Sequence, residues 1–293
     1  MKIGIIGGGA IGLLFANYLS ENHHVTIFTR TKEQAELLNR DGLNFIVNGQ
    51  VQTIKINANQ ISASIIDEEL LIIAVKQYHL SDIDPFIKNV TAPLLFLQNG
   101  YGHIEYIQTL SSRSVFVGVV EHGALKHNQN TIEHTGVGMT KLAIFRGDWK
   151  DLRISNESIA SFPFVLQEDY HSMLIEKLIV NAVINPLTAI LGVPNGELVK
   201  NPFYQRLIDM YVHELAEILQ LQNIAGTLEH VEQVCLMTAG NRSSMLKDIE
   251  NGRKTEIDAI LGYVLQVAEQ SKNDQPLTQF LYTLIKGKEI KKG

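Results

Sequence analysis

Three polar residues recur at intervals of four through an otherwise apolar stretch, IEKLIVNAVINPLTAILG at 175–192: Lys177, Asn181 and Asn185. On an α-helix each such step rises about 6 Å and drifts about 40° around the axis, so the three form one slanted polar ridge. Leu178, Ile179, Val180, Val183 and Ile184 make most other faces apolar, which predicts a buried helix and a buried ridge. Buried ammonium and carboxamide groups are costly unless they find partners. Two arrangements satisfy them: bonds to neighbouring helices, or a polar ligand that completes the ridge from a cleft. The second has chemical use, because apolar surroundings push a lysine pKa down toward values suited to proton transfer.

A second pattern opens the chain. KIGIIGGGAIGLLFANYL places Gly7-x-Gly9-x-x-Gly12 directly after a strand-like run and at the start of a helical one. Gly7 permits a sharp turn, Gly9 lets backbone approach a pyrophosphate, and Gly12 lets helix and sheet pack closely. The phosphates of a dinucleotide would sit on the helix N-terminus, where free N–H groups and the helix dipole favour anions. At the end of the second strand, where an NAD binder carries an acid for the ribose 2′-hydroxyl, the chain reads VTIFTRTKE, with Arg30 and Lys32 and no acid in that place. Arg30 can grip a 2′-phosphate bidentately, so NADP is the favoured cofactor; the plain alternative is two solvated residues at a helix start.

Two further loops fall where the carboxyl ends of later strands are expected. AVKQ puts Lys76 after one strand, and LQNG puts Asn99 and Gly100 after the next. Ligands of doubly wound sheets bind at that edge. In NRSSMLKDIENGRKTEID, Asn241, Ser243 and Ser244 either cap a helix or offer donors to an anion, and Thr255 caps the next helix with Glu256 in its first turn. From periodicity alone both clusters read as caps. His122, His127 and His134 have the spacing of loop and hairpin residues, no HExxH or GxSxG occurs, and no metal site is expected.

The elements that must carry these residues alternate in the first half. Apolar runs at 2–6, 24–28, 70–75, 94–97 and 115–120 read as strands of a parallel sheet covered on both faces, with helices at 10–21, 32–40, 79–89 and 103–110 between them. FIVNGQVQTIKI at 45–56 is a hairpin turning at Asn48-Gly49. Stretches 130–134 and 139–145 are expected to extend the sheet as antiparallel edges. Beyond about residue 168 only helices are predicted, over 171–191, 202–222, 227–238, 242–251, 255–271 and 276–288, with Asn201-Pro202 as one start signal. The fold class is therefore α/β, a Rossmann-like doubly wound domain over 1–168 followed by an all-α domain over 169–293.

Composition sets the outer bounds. A chain of 293 residues, 45% hydrophobic and 19% charged, is ordinary for about two globular domains. A net charge of −6 argues against a nucleic-acid partner. The single cysteine, Cys235, has no disulfide partner within the chain and fits a reducing compartment as a buried helix residue. The N-terminal run lacks the basic region and cleavage site of a signal peptide, and Asn181, Asn185 and Pro186 interrupt the longest apolar run, which points away from a membrane. A cytoplasmic protein is the expectation. The long apolar helices can pack on each other or on a second copy, so a homodimer is left open.

Taken together, the motifs resemble those of the ketopantoate reductases (2-dehydropantoate 2-reductases), which reduce ketopantoate with NADPH on the route to pantothenate and coenzyme A. The resemblance runs nearly end to end: GGGAIG at 7–12, VK at 75–76, QNG at 98–100, HTGVG at 134–138, KLIVNAVINPLTAI at 177–190, PNGEL at 194–198 and SSMLKDIENGRKTEID at 243–258. It implies that Gly7, Gly8, Gly9, Ala10, Ile11 and Gly12 form the nucleotide loop, and that Lys177 is the catalytic acid and touches substrate. It also implies that Asn99, Asn181, Asn185, Asn195, Asn241 and Ser244 line the substrate pocket. Lys76, Asn99, Ala124 and Glu256 would contact the cofactor or order the closed site, with Glu256 a candidate for substrate contact as well. Ile175 stands where a tryptophan is common, and Leu261 where an asparagine often precedes Gly262; neither removes a chemical group the reaction needs. Two alternatives stay open: a sister reductase acting on another 2-keto acid, and a non-catalytic NADPH-binding module, which would have no need of Lys177 and its asparagines.

Overall fold

The KIGII run folds as β1 (Lys2–Ile6) and leads through the glycine turn into α1 (Ala10–Leu19). After β2 (His24–Thr29), Thr31 caps α2 (Lys32–Asp41) by accepting the Gln34 N–H at 3.4 Å. A hairpin follows, β3 (Leu43–Val47) and β4 (Gln50–Ile54), whose turn residues Asn48 and Gly49 take φ of 51° and 74°. Both lie in the left-handed region that a two-residue hairpin turn demands. Next come β5 (Asn57–Gln60), β6 (Leu70–Ile73), α3 (Leu80–Ile87), β7 (Leu94–Phe96), α4 (His103–Gln108) and β8 (Val115–Val120). The strands end with β9 (Gly123–Lys126), β10 (Thr131–Gly136), β11 (Thr140–Arg146) and β12 (Phe164–Gln167).

The rest is helical: α5 (Tyr170–Leu191), α6 (Glu197–Lys200), α7 (Pro202–Leu219), α8 (Ile224–Met237) and α9 (Ser244–Glu250). A π-helical turn at Asp258–Gly262 continues into α10 (Tyr263–Ser271), and α11 (Pro276–Glu289) ends the chain's helices. This computed structural model describes residues 1–62, 67–157 and 159–290. Its contacts divide the chain into two units, Met1–Gln98 with His103–Met173, and Asn99–Gly102 with Leu174–Gly293. The division on the sequence side, at 168/169, differs from this at two places. The first turn of α5 falls with the sheet unit, and the short segment after β7 falls with the helices.

In the first unit, eight strands form one sheet in the order β12-β11-β8-β7-β6-β1-β2-β5. Neighbours from β5 to β8 are all parallel, and β11 pairs antiparallel with β8. Ile3, Ile5, Leu70, Ile72, Leu95 and Phe116 are fully buried in its core, as the unbroken apolar runs predict for strands covered on both faces. The chain leaves β1 toward β2 on one side and returns to β6 on the other, so the order reverses between β1 and β6. Doubly wound sheets bind their ligands beyond the carboxyl ends of the strands at that reversal.

One edge expectation is corrected. Stretch 139–145 joins this sheet as β11, but 130–134 does not. It becomes β10 of a second, four-stranded sheet, β4-β3-β10-β9, parallel to β3 and antiparallel to β9. Asn130 explains the change of partner: its carbonyl accepts the Asn44 N–H at 2.8 Å and its Nδ2 donates to the Gly42 carbonyl at 2.9 Å. Both bonds dock the strand beside β3, and Ile132 is buried with Phe45 in the common core.

In the second unit, α5 is the central element. Leu178, Ile179, Val180, Val183, Ile184 and Leu187 are buried with Tyr211 and Leu215 of α7, Cys235 of α8 and Leu261 of the π turn. By length and composition α5 could cross a membrane, but 72% of its apolar window is buried inside the protein, which accounts for its greasiness as core. Pro186 lies within the helix, and the Thr188 hydroxyl donates to the Ile184 carbonyl at 2.7 Å. Asn201 caps α7 by accepting the Phe203 N–H at 3.0 Å, with Pro202 in the first turn. Glu214 of α7 accepts the Leu277 and Thr278 N–H groups at 2.9 and 2.7 Å, capping α11 from outside.

Candidate active site

The predicted residues are divided between the two units. Gly7–Gly12, Arg30, Lys76 and Ala124 lie in the first; Asn99, Lys177, Asn181, Asn185, Asn195, Asn241, Ser244 and Glu256 lie in the second.

In the first unit, Gly7 has φ 122°, and its N–H donates to the Phe28 carbonyl at 2.9 Å. A Cβ there would stand 2.9 Å from the backbone of Ala74, so the loops after β1 and β6 touch at the strand-order reversal. A Cβ on Gly12 would lie 1.9 Å from the Gly7 carbonyl oxygen, which leaves hydrogen as the sole side chain that fits. Gly9 is different: a Cβ there would meet nothing within 4 Å. Gly9 is also the N-cap of α1 and supplies no side-chain cap, so the first-turn N–H groups of Ala10, Ile11 and Gly12 keep their donors for a ligand. An open glycine face over an uncapped helix start fits a pyrophosphate.

Arg30 follows β2, is exposed, and forms no ion pair among the described residues. Lys32 beside it pairs with Glu36 at 3.2 Å, an exposed pair at the surface. Lys76 is half-buried after β6, its Nζ 5.9 Å from the centroid of the Tyr78 ring. Ala124 lies in β9 opposite His134 of β10. Two residues here escaped the sequence reading. Buried Gln98 donates through Nε2 to the carbonyls of Ile73 and Val75 at 2.9 and 2.8 Å, clipping the end of β7 to the end of β6. Gln34 Nε2 donates to the Gly8 and Gln129 carbonyls at 2.8 Å each. Both amides act on distant backbone oxygens, for which the QNG motif was the sole hint.

His122 and His134 do meet, but as core residues. The Gly138 N–H donates to His122 Nδ1 at 3.2 Å, so that nitrogen is an acceptor, and His134 Nε2, also 3.2 Å away, must donate to it. His134 Nδ1 then accepts the Tyr18 hydroxyl at 2.7 Å. Burial holds both imidazoles below the ordinary histidine pKa, His122 at about 4. Among the described residues no cluster of His, Cys, Asp or Glu could hold a metal ion.

In the second unit, the ridge on α5 forms as the spacing predicts. Lys177 is half-buried, and Asn181 and Asn185 are 9% and 8% exposed. Neither carboxamide makes a side-chain hydrogen bond among the described residues. Asn195 donates its N–H to the Asn241 carbonyl at 2.9 Å and its Nδ2 to the Thr238 hydroxyl at 2.9 Å, while its own Oδ1 is buried without a partner among the described residues. Ser243 is the true cap of α9, accepting the Leu246 N–H at 3.1 Å, and its own hydroxyl donates at 2.7 Å to the hydroxyl oxygen of Thr188, whose proton goes to the Ile184 carbonyl. Ser244, the next residue, is exposed and takes no part in the cap. Of the three candidate caps Asn241, Ser243 and Ser244, the cap of α9 is Ser243.

Asn99 donates through Nδ2 to Glu256 Oε2 at 3.1 Å. Gly100 packs so tightly on the π turn that a Cβ would stand 2.2 Å from the Ala259 carbonyl oxygen, and Tyr101 stacks on Tyr263 at 4.9 Å. Thr255 is held from α11: its N–H and hydroxyl both donate to Glu289 Oε1 at 2.7 Å. The chain on either side of Glu256 is therefore fixed, by Glu289 before it and by the π turn after it.

Sequence models of the family named ketopantoate reductase PanE/ApbA match residues 3–147, and its C-terminal model matches residues 169–289. The chain belongs to the ketopantoate reductase family. The 2-dehydropantoate 2-reductase of Listeria innocua is 41% identical over 295 residues, covering 99% of this chain and 97% of the relative. The crystal structure of a probable 2-dehydropantoate 2-reductase from Bacillus subtilis is 40% identical with a TM-score of 0.90, covering 99% of this chain and all 100% of the other. D-mandelate dehydrogenase, solved with NADH and anilino(oxo)acetate, shares 25% identity at a TM-score of 0.88, covering 99% of this chain and 98% of the other.

Proposed function

We propose that the protein reduces 2-dehydropantoate (ketopantoate) to pantoate with NADPH, in the supply of pantothenate and coenzyme A, and that Lys177 is its general acid. The observation that carries this reading is the α5 ridge. Asn181 and Asn185 are 9% and 8% exposed, and their carboxamides bond to no described residue, one and two helical turns along from Lys177. Carboxamides with no protein partner can offer both donors and acceptors to the carboxylate and hydroxyl oxygens of a keto acid. Membership of the family supports the choice of substrate.

Bound NADPH supplies the hydride for the ketone carbon. Negative charge grows on the ketone oxygen, where a placed ammonium stabilises it most, and Lys177 delivers its proton there. Asn181 and Asn185, with Asn99, Asn195, Asn241 and Ser244, orient the substrate's carboxylate and hydroxyl through neutral groups that add no competing charge. The glycine loop at Gly7–Gly12 receives the pyrophosphate, and Arg30, a cation without a carboxylate partner, favours the 2′-phosphate. Lys76, Ala124 and Glu256 complete the cofactor side.

The likeness to D-mandelate dehydrogenase supports a second reading, a reductase of the same plan acting on another 2-keto acid. The deciding experiment follows NADPH and NADH oxidation with ketopantoate and with other 2-keto acids. Fast turnover confined to ketopantoate and NADPH upholds the proposal. Turnover confined to another keto acid moves the substrate and keeps the chemistry, and tight NADPH binding without turnover on any keto acid rejects the enzyme.

A further inference from the structure

A cation reaches the glycine loop from the four-stranded sheet. The β9–β10 hairpin ends β9 at Lys126, and Lys126 Nζ donates to the Gly8 carbonyl at 2.6 Å. That carbonyl already accepts the Gln34 amide at 2.8 Å, and Gln34 also donates to Gln129 at the hairpin tip. The hairpin is thereby tied to the loop that carries the Gly7–Gly12 motif.

Gly8 is the sole described partner of Lys126, and no carboxylate pairs with it. An ammonium has three donors, so two remain unassigned. Lys126 is half-buried, and desolvation by its surroundings holds its pKa below the ordinary lysine value. A carbonyl dipole alone compensates a partly desolvated charge poorly. In a chain of net charge −6, a cation in this position beside an uncapped helix start is the arrangement that an anion would complete.

The geometry points to Lys126 as a phosphate ligand of the dinucleotide, its ammonium bridging the Gly8 carbonyl and a phosphate oxygen. The assignment rests on the nucleotide reading of the glycine loop. Phosphate chemistry is shared by the pyrophosphate and the 2′-phosphate, and the comparison of NADPH with NADH tells them apart.

The test is the dissociation constant of each dinucleotide, measured by nicotinamide fluorescence at low and high salt for wild type, Lys126→Gln and Lys126→Arg, with a thermal melt of each. Gln keeps a donor for the Gly8 carbonyl and removes the charge. The expected result is that Lys126→Gln weakens NADPH by about tenfold or more, flattens the salt dependence and leaves the melt unchanged, while Lys126→Arg stays near wild type. Equal loss with NADH assigns the pyrophosphate, and loss confined to NADPH assigns the 2′-phosphate. Wild-type affinity for both dinucleotides in Lys126→Gln overturns the assignment, as does a loss shared by Lys126→Arg together with a lowered melt, which marks loop support. Wild type that binds neither dinucleotide rejects the nucleotide reading itself.

Discussion

Asn99, in the loop after β7, donates its carboxamide N–H to Glu256, 157 residues later and just ahead of the π turn. The bond fixes which way the amide points: Nδ2 faces the carboxylate, and Oδ1 is an acceptor that no described residue uses. A hydrogen bond to an ionised group contributes about 1.5–3 kcal/mol. Single replacements Asn99→Ala and Glu256→Ala should therefore each lower kcat/KM by about tenfold or more, and the double variant should fall short of the product by a coupling of about 0.5–3 kcal/mol. Steady-state kinetics of the four proteins measures this. Losses that simply multiply would show that the bond has no share in ordering the site.

The ridge makes a prediction that separates chemistry from binding. Lys177→Ala should lower kcat by about 10²–10⁴-fold, the usual contribution of a general acid, with NADPH affinity unchanged. Asn181→Ala and Asn185→Ala should raise KM for the keto acid with a smaller change in kcat. Turnover with each variant, beside a fluorescence titration of NADPH, provides the readout. Near-normal kcat in Lys177→Ala would remove lysine from proton transfer.

Arg30 stands exposed with no ion pair among the described residues, while its neighbour Lys32 is engaged by Glu36. Removing it should cost affinity for the 2′-phosphate alone. Arg30→Ala is expected to raise KM for NADPH by about 10–100-fold and to leave KM for NADH within about twofold. A matched set of NADPH and NADH saturation curves checks it. Equal change with both cofactors would place Arg30 away from the 2′ position.

Much of this arrangement was readable beforehand because its causes are local. The parallel core strands announce themselves as unbroken apolar runs, the glycine turn by its spacing, and the α5 ridge by a period of four. The rest depends on contacts between distant segments. NANQ at β5 has little strand propensity and forms through backbone pairing with β2. β10 looked like an edge of the main sheet because it precedes β11, yet its bonds to Gly42 and Asn44 place it beside β3. Lys126 and Gln34 converge on Gly8 from 118 and 26 residues away, and no local pattern marks either. The segment Asn99–Gly102 groups with the helices because Gly100 seats against Ala259, a steric fit invisible until both backbones are in place.

His103, at the start of α4, is 1% exposed, and neither ring nitrogen has a hydrogen-bond partner among the described residues. Burial lowers its pKa from 6.5 to about 4. In the unfolded chain the imidazole takes a proton as pH falls through 6.5, whereas in the folded protein it stays neutral until about 4. Stability tied to His103 is thus complete above pH 6.5 and lost across the window down to 4, by about 3 kcal/mol. His103→Leu should flatten the fall in Tm between those limits, with His122, also near 4, retaining part of the slope. Thermal melts at half-unit pH steps test it. A slope unaltered by the substitution would show that His103 titrates alike in both states.

Two roles of the glycine loop, packing and ligand approach, separate at Gly12 and Gly9. A methyl on Gly12 would stand 1.9 Å from the Gly7 carbonyl oxygen, so Gly12→Ala must displace the turn from α1 even with no ligand present. Its Tm should fall by several degrees, about what 1–3 kcal/mol of strain produces, and dinucleotide binding should fall with it. A methyl on Gly9 meets nothing within 4 Å, and the residue's φ of −83° suits alanine. Gly9→Ala should therefore melt within about 2 °C of wild type and still lose NADPH affinity, because the space the methyl takes is the space a pyrophosphate needs. Melting curves and fluorescence titrations on the two variants give both readouts. Wild-type NADPH affinity in Gly9→Ala would mean that the dinucleotide does not lie over Gly9, and the anion site at α1 would have to be drawn elsewhere.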